Sequence, residues 1–442
     1  MSGMSLPLIF IIFILISLCT KTALGFPSGT GADNIQCMER EKQALLTFKK
    51  GLIDEYNHLS SWGINEDCCQ WRGVRCSNRT GHVLGLNLQV TNTIDPYQPD
   101  YMPLRGNISS SLLELQYLNY LDLSLNDFEF KQLPDYIGSL KNLRHLNLSY
   151  DGFSGKVPYQ LGNLSKLQSL DLNSNYQMYA DKLEWLSHLS SLRQLRLTLI
   201  KVEHAFDWLQ VVSELRSLTD LQLGSCGLPS VISAPISLVN SSKTLIQLDL
   251  SFNSLPNSSI FPWLSNLGSS LVDLDLFGNR LQGPIPDYAF SNMTSLLHLD
   301  LGYNPIVGPL KSFGNLCSLK TLSLNTNNLI GQLPQLFSYL SGCSKHTLET
   351  LVLNDSFLSG SLPDFTLFSS LRELQLQNNN LNGSFPKSFG HLSNLTILDL
   401  DDNNLSGSIP DLSVFVSLKE LRIRDNLLNG TLPKKSRKAF KA

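Results

Sequence analysis

The chain has 442 residues, a formal net charge of -3, 42% hydrophobic residues and only 16% charged ones. That balance gives no bulk reason to expect a polyanion partner and excludes extensive disorder, because there is enough apolar material to bury a core. Leucine dominates, a bias that a regular stack of buried leucines produces without special chemistry.

Residues 1–25 carry an apolar run from Leu6 to Leu18, short for a bilayer span, followed by Ala23-Leu24-Gly25. This segment reads as a cleaved signal peptide with the mature chain starting near Phe26. Its first residues contain no Lys or Arg, so an uncleaved anchor stays open as the lesser alternative. No later apolar run reaches the roughly 20 residues of a transmembrane helix. The chain is therefore expected in the secretory pathway and the extracellular or cell-wall space, with membrane attachment only through a missing C-terminal segment or a partner.

Residues 26–80 are expected to form a cap. Cys37, Cys68, Cys69 and Cys76 cluster there, and an oxidising compartment favours a disulfide staple with three pairings open. A zinc site is disfavoured by the Cys-Cys-x6-Cys spacing. Ala44, Leu45 and Phe48 recur at helical spacing and can lie over the first repeat, with Trp62 and Trp71 completing the cover.

From 81 to 433 the sequence repeats Leu-x-x-Leu-x-Leu-x-x-Asn, as in Leu118-x-x-Leu121-Asp122-Leu123-x-x-Asn126 and Leu395-x-x-Leu398-Asp399-Leu400-x-x-Asn403. About fourteen such units follow one another. Each alternates apolar and polar residues, the pattern of a short strand with one buried face, and only stacking of neighbours can close that face. The Asn after each strand turns the chain and is expected to line an inward ladder. Thr91, Asp151, Ile200, Cys226 and Ser356 replace it, and Cys226 is expected to be buried rather than reactive. Many units continue as Leu-x-Gly-x-Ile-Pro, for example Leu281-Gln282-Gly283-Pro284-Ile285-Pro286, a wording degraded between Asn175 and Asn253. The fold class implied is an α/β solenoid, a right-handed leucine-rich-repeat superhelix or horseshoe with a parallel concave β-sheet and a helical, disulfide-stapled N-terminal cap. Cys317 and Cys343 fall at neighbouring convex positions, where a disulfide or two thiols are both open. Residues 434–442 form a basic, non-repeat tail.

Strand residues between the buried leucines face the concave surface, which spans roughly 60 Å for fourteen units. His145, Arg196, Gln222, Phe277, His298, Gln375, Arg422 and Arg424 stand out on that face as ligand candidates. Asp249, Asp275 and Asp300 share one strand position in successive units and join them. Stacked about 5 Å apart, these carboxylates should raise one another's pKa and meet a basic or pH-sensitive partner. A glycosidase pair uses about that separation. The Asp, however, belongs to the recurrent Leu-Asp-Leu wording, and an open sheet is expected to give no desolvation that would set acid apart from base. Neither catalysis nor a cofactor nor a bound metal is expected. No phosphate loop, dinucleotide fingerprint or metalloprotease motif occurs, and no basic face suits nucleic acid. Glycosylation signals stand at Asn78, Asn107, Asn147, Asn163, Asn240, Asn257, Asn292, Asn354, Asn382, Asn394, Asn404 and Asn429.

Three stretches carry a resemblance. They are Cys37-Met38-Glu39-Arg40-Glu41-Lys42-Gln43-Ala44-Leu45-Leu46-Thr47-Phe48-Lys49, Leu59-Ser60-Ser61-Trp62, and Asp67-Cys68-Cys69-Gln70-Trp71-Arg72-Gly73-Val74-Arg75-Cys76. With the repeats, they resemble plant receptor-like proteins, more narrowly the group that includes the tomato receptors for a fungal xylanase. Leu183-Glu184-Trp185-Leu186 and Asp207-Trp208-Leu209-Gln210 look like insertions of that group. The resemblance implies pairing of Cys37 with Cys68 and Cys69 with Cys76. It also implies recognition of a microbial or endogenous protein or peptide elicitor in plant defence, with a kinase-bearing co-receptor relaying the signal. Members of the family continue into further repeats, a membrane helix and a short tail, so a truncated gene model, a splice product or a secreted short form would each fit this end. A secreted inhibitor or decoy that binds a microbial wall-degrading enzyme is the competing expectation.

Overall fold

The computed structural model describes residues 36–429 apart from 64, 91–101, 231–242, 387–388, 390–391 and 410–415. The expected signal peptide, position 91 of the ladder, Asn240 and the basic tail lie outside the described residues.

From Tyr120 onward the middle residue of each three-residue strand of the long sheet is a leucine pointing inward, and its neighbours point outward. The strands are Val74–Cys76 (β1), Val83–Asn87 (β2), Tyr120–Asp122 (β3), His145–Asn147 (β4), Ser169–Asp171 (β5), Gln194–Arg196 (β6), Asp220–Gln222 (β7) and Gln247–Asp249 (β8). They continue as Asp273–Asp275 (β9), His298–Asp300 (β10), Thr321–Ser323 (β11), Thr350–Val352 (β12), Glu373–Gln375 (β13), Ile397–Asp399 (β14) and Glu420–Arg422 (β15). Together they make one 15-stranded sheet in chain order. The first pair is antiparallel and the rest run parallel. Register is fixed by the leucines, with Leu221, Leu248, Leu274, Leu299 and Leu322 facing one another across five strands. A one-residue slip would turn this whole column to water. The resulting core runs without a break from Ala44 to Leu418, so the expected leucine-rich-repeat solenoid, with its helical cap, is the fold observed.

The Asn ladder closes the turn after each strand. The Asn253 amide donates to the carbonyls of Leu223 (2.8 Å) and Leu250 (3.0 Å), and its Oδ1 accepts from the N–H groups of Cys226 and Leu228. Asn279 and Asn304 repeat the arrangement one and two units on. Buried backbone groups that a turn would orphan are thus satisfied. Where Asn is replaced, the outcomes differ. The Cys226 thiol donates to the Leu197 carbonyl at 3.1 Å, as an amide would, and burial pushes its pKa up to about 12. Asp151 is fully buried with one carboxylate oxygen unpartnered, and the Ser356 hydroxyl is buried without a partner.

The Leu-x-Gly-x-Ile-Pro wording builds a second parallel sheet. Its strands are Ile330–Gln332, Phe357–Ser361, Asn380–Gly383, Asn404–Ser408 and Leu427–Asn429. Where that wording is degraded, helix Trp208–Glu214 backs the long sheet instead. Its Trp208 meets Trp263 of helix Asn257–Leu264 edge to face, with ring centroids 6.1 Å apart.

The cap is helix Glu39–Lys50 (α1), with acidic residues in its first turn and lysines in its last, an arrangement that suits the helix dipole. Ala44, Leu45 and Phe48 are buried, and Trp62 stacks on Trp71 at 5.3 Å. The Glu41 carboxylate accepts from the Val83 N–H (2.6 Å) and lies 2.9 Å from His82 Nδ1, tying α1 to the start of β2. Disulfides join Cys37 to Cys68, Cys69 to Cys76 and Cys317 to Cys343. The four cap sulfurs lie within 4.8 Å of one another, but both pairs are oxidised, which leaves no thiolate to hold a zinc ion.

Candidate ligand-binding face

The open face of the long sheet is built from three columns of side chains. For β8 they are Gln247, Asp249 and then Ser251 just past the strand; the registers carry the first two positions along the sheet. A fourth position, immediately before the ladder Asn, adopts a left-handed backbone in unit after unit, including Leu199, Phe252 and Tyr303. The turn imposes this conformation on bulky residues that avoid it elsewhere. It lifts their side chains to the rim of the face, where Phe252 is 55% and Tyr303 59% exposed.

The structure brings Gln222, Asp249, Asp275, His298 and Asp300 together around one shallow depression of about 330 Å³ over β7 to β11. Asp249, Asp275 and Asp300 follow one another in register. Each accepts, through Oδ1, the N–H two residues on, at 2.8 Å. Burial pushes the Asp275 carboxyl up to about 6. The Phe277 N–H works against that rise, and the charges of Asp249 and Asp300 add to it. Burial likewise raises Asp300. Here the structure corrects an expectation. Desolvation, held to be absent on an open sheet, is the leading cause of the shift, and repulsion between the stacked carboxylates is secondary. The depression and the flanking side chains withdraw the carboxyls from water even though the sheet has no lid.

Phe277, whose N–H donates to Asp275 of this depression, lies between Phe252 (5.1 Å, edge to face) and Tyr303 (5.9 Å, stacked). The sequence singled out Phe277 alone. Phe252, Tyr303 and Asp273 go unmarked until the units are aligned column by column, because Phe252 and Tyr303 occupy the turn rather than the strand.

The other candidates are dispersed. His145 stacks on Tyr120 at 4.4 Å, and burial lowers its pKa. The guanidinium of Arg196 is held by Asp220, with Nε at 3.0 Å and Nη2 at 2.5 Å, and lies 3.7 Å from Asp171. Gln375 donates to Glu373 of its own strand. Arg422 pairs with Asp399 (2.9 Å) and Glu420 (2.5 Å). Arg424 is exposed, and its N–H donates to Asp401. Arg196 and Arg422 therefore brace neighbouring strands as much as they present charge.

Of the glycosylation signals, Asn78, Asn107, Asn163, Asn292, Asn382, Asn394, Asn404 and Asn429 are exposed. Asn147 and Asn354 are half-buried at the face; the Asn147 amide donates to Asp122 at 3.3 Å. The side chain of Asn257 lies outside the described residues.

Residues 38–77 match the leucine rich repeat N-terminal domain, 101–283 the leucine-rich repeat region, and 269–329, 346–405 and 369–428 the leucine rich repeat. The chain belongs to the leucine-rich-repeat proteins. This leucine-rich-repeat chain is similar to two tomato (Solanum lycopersicum) proteins. It is 43% identical over 368 residues to Receptor-like protein EIX1, matching 81% of this chain and 35% of that protein. It is 44% identical over 372 residues to Receptor-like protein EIX2, matching 83% and 36%. The chain thus spans about a third of the length of these curated relatives. Among solved structures, a TDR receptor superposes with a TM-score of 0.64 at 25% identity, covering 81% of this chain and 58% of that one. The Arabidopsis receptor kinase HAESA, in complex with the peptide hormone IDA and the co-receptor SERK1, superposes at 0.58 with 26% identity, covering 90% and 75%.

Proposed function

We propose that this chain recognises a protein or peptide elicitor at the plant cell surface through the open face of its long sheet, in defence, and relies on a kinase-bearing partner for signalling. The observation that carries this reading is the acidic depression with exposed rings beside it, set in one continuous sheet. Exposed rings beside half-buried carboxylates on a rigid scaffold are what a protein-sized partner covers. Similarity to receptor-like proteins and to a peptide-bound receptor kinase supports the same class of ligand. The exposed Asn residues would carry glycans, and the expected signal peptide would deliver the chain outside the cell.

A glycan placed on the face tests this directly. Gln247→Asn with Asp249→Ser creates a signal at the centre of β8, whereas Asn292→Gln removes one outside the sheet. In biolayer interferometry against a purified fungal xylanase, the added glycan should abolish binding and the removal should leave it unchanged. Binding that survives the added glycan, or no binding by the unaltered chain, sinks the reading.

A further inference from the structure

We propose that the ledge formed by Phe252, Phe277 and Tyr303, with the carboxylates of Asp249, Asp275 and Asp300 beside it, binds an arginine or lysine side chain of an extended peptide segment. This rests on the recognition reading above and names the chemistry that one part of the face selects.

The rings form a continuous run, with centroids 5.1 and 5.9 Å apart along three successive units. Glycines make that run fit. A Cβ at Gly278 would come within 2.7 Å of the Phe252 ring, and one at Gly302 within 2.9 Å of the Phe277 ring. Gly278 also takes the left-handed turn position that Phe252 and Tyr303 occupy in the flanking units. The outer two rings remain more than half exposed, so the ledge is an apolar surface without a cover from the described protein.

Its neighbours decide the occupant. The Oδ1 atoms of the three aspartates are pinned by backbone N–H groups, which orients the carboxylates before any ligand arrives. No lysine or arginine stands on β8 to β11. His298, 3.9 Å from Asp273, is the nearest basic side chain there, and Arg196 is held by Asp220. A negative field is therefore left uncompensated next to aromatic faces. A guanidinium or ammonium uses both: the head meets carboxylate and ring quadrupole, and the aliphatic stem covers ring surface. An anion is repelled, a divalent cation leaves the rings unused, and a neutral sugar leaves the charges unused. Strand spacing of about 4.8 Å across the face suits a peptide lying over successive units.

Ionised carboxylates are the binding form. Asp275 shares the depression with Asp249 from β8, Asp300 and His298 from β10, and Asp273 from its own strand, and burial pushes its carboxyl up to about 6. Affinity should accordingly rise from pH 5 to pH 7.

The test uses the full secreted chain and two probes, acetyl-Gly-Ser-Arg-Ser-Gly-amide and its neutral citrulline counterpart, titrated by saturation-transfer-difference NMR. The arginine peptide should bind saturably, and the citrulline peptide about fivefold more weakly or not at all. Phe277→Ala, and separately Asp249→Asn with Asp275→Asn, should each weaken the arginine peptide about fivefold. Tyr159→Ala, at an exposed position outside the long sheet, should not. The Asp→Asn pair keeps the shape of the side chains and an oxygen for each backbone N–H, so it remains informative if Phe277→Ala fails to fold. Equal binding of the two peptides, no saturation transfer, or unchanged affinity in the Asp→Asn pair overturns the proposal. Because the probe is not an elicitor, a negative result here leaves elicitor recognition standing, and the converse also holds.

Discussion

Asp151 sits where the ladder calls for an amide. Its Oδ1 accepts from the Asn126 N–H at 3.0 Å, while Oδ2 is buried with no partner. An ionised carboxylate cannot donate to carbonyls as Asn175 does to those of Leu148 and Leu172, both at 2.8 Å. Burial raises the Asp151 pKa well above the usual carboxyl range, and Asp122, Asp171 and Asp127 add repulsion. A folded-state pKa raised above the unfolded one contributes stability at pH below the ordinary carboxyl range and loses it as pH rises through the raised value. Asp151→Asn is therefore expected to stabilise by about 1–3 kcal/mol at neutral pH, with a gap over the unaltered chain that narrows as pH is lowered. Thermal melts from pH 4 to pH 8 measure both, and a variant that melts lower at pH 7 refutes the assignment. The departure from Asn was legible in the sequence. Its energetic sign was not, since that depends on complete burial and on carboxylates from other units.

At the level of elements, spacing alone placed the cap helix and its buried Ala44, Leu45 and Phe48, because helical periodicity is local information. Glu41 was part of the quoted cap wording but had no visible role. Its partners His82 and Val83 lie 41 and 42 residues away, beyond the reach of any periodic pattern. A buried carboxylate that accepts a backbone N–H fixes the helix to the sheet more specifically than apolar packing does. Glu41→Ala should cost about 1.5–3 kcal/mol, the range for hydrogen bonds to a charged group. In hydrogen exchange the loss should appear first as faster exchange of the Val83 amide and of α1, with β13 to β15 unchanged. Uniform acceleration along the whole chain would show instead that the cap is not a separable end.

Across the molecule, the repeat wording made the long sheet and its leucine core readable, since each unit carries the same alternation and neighbours must cover one another. The acidic part of the candidate face was readable as well, through Asp249, Asp275 and Asp300. The aromatic ledge was only a third visible, as Phe277, because its other rings reach the rim through a backbone conformation that no residue type announces. Least legible was how the units are held where the second sheet lapses. Between Gln177–Tyr179, which pairs in parallel with Ser154–Lys156, and Ile330–Gln332 the described residues show only isolated bridges on that side, such as Tyr179 with Lys201 and Gly283 with Ile306. There the packing of Trp208 on Trp263 substitutes for strand pairing, with Trp263 Nε1 3.3 Å from the Ser213 hydroxyl. Trp208 is fully buried, and truncation of such a side chain costs about 3–5 kcal/mol. In a solenoid, whose stability sums unit and interface terms, that loss is local before it is global. Trp208→Ala should therefore split unfolding: amides of β6 to β8 exchange at lower urea than those of β13 to β15, where the unaltered chain is expected to unfold in one transition. Retention of a single transition, with both regions shifted equally, would mean that the long sheet alone couples the two halves.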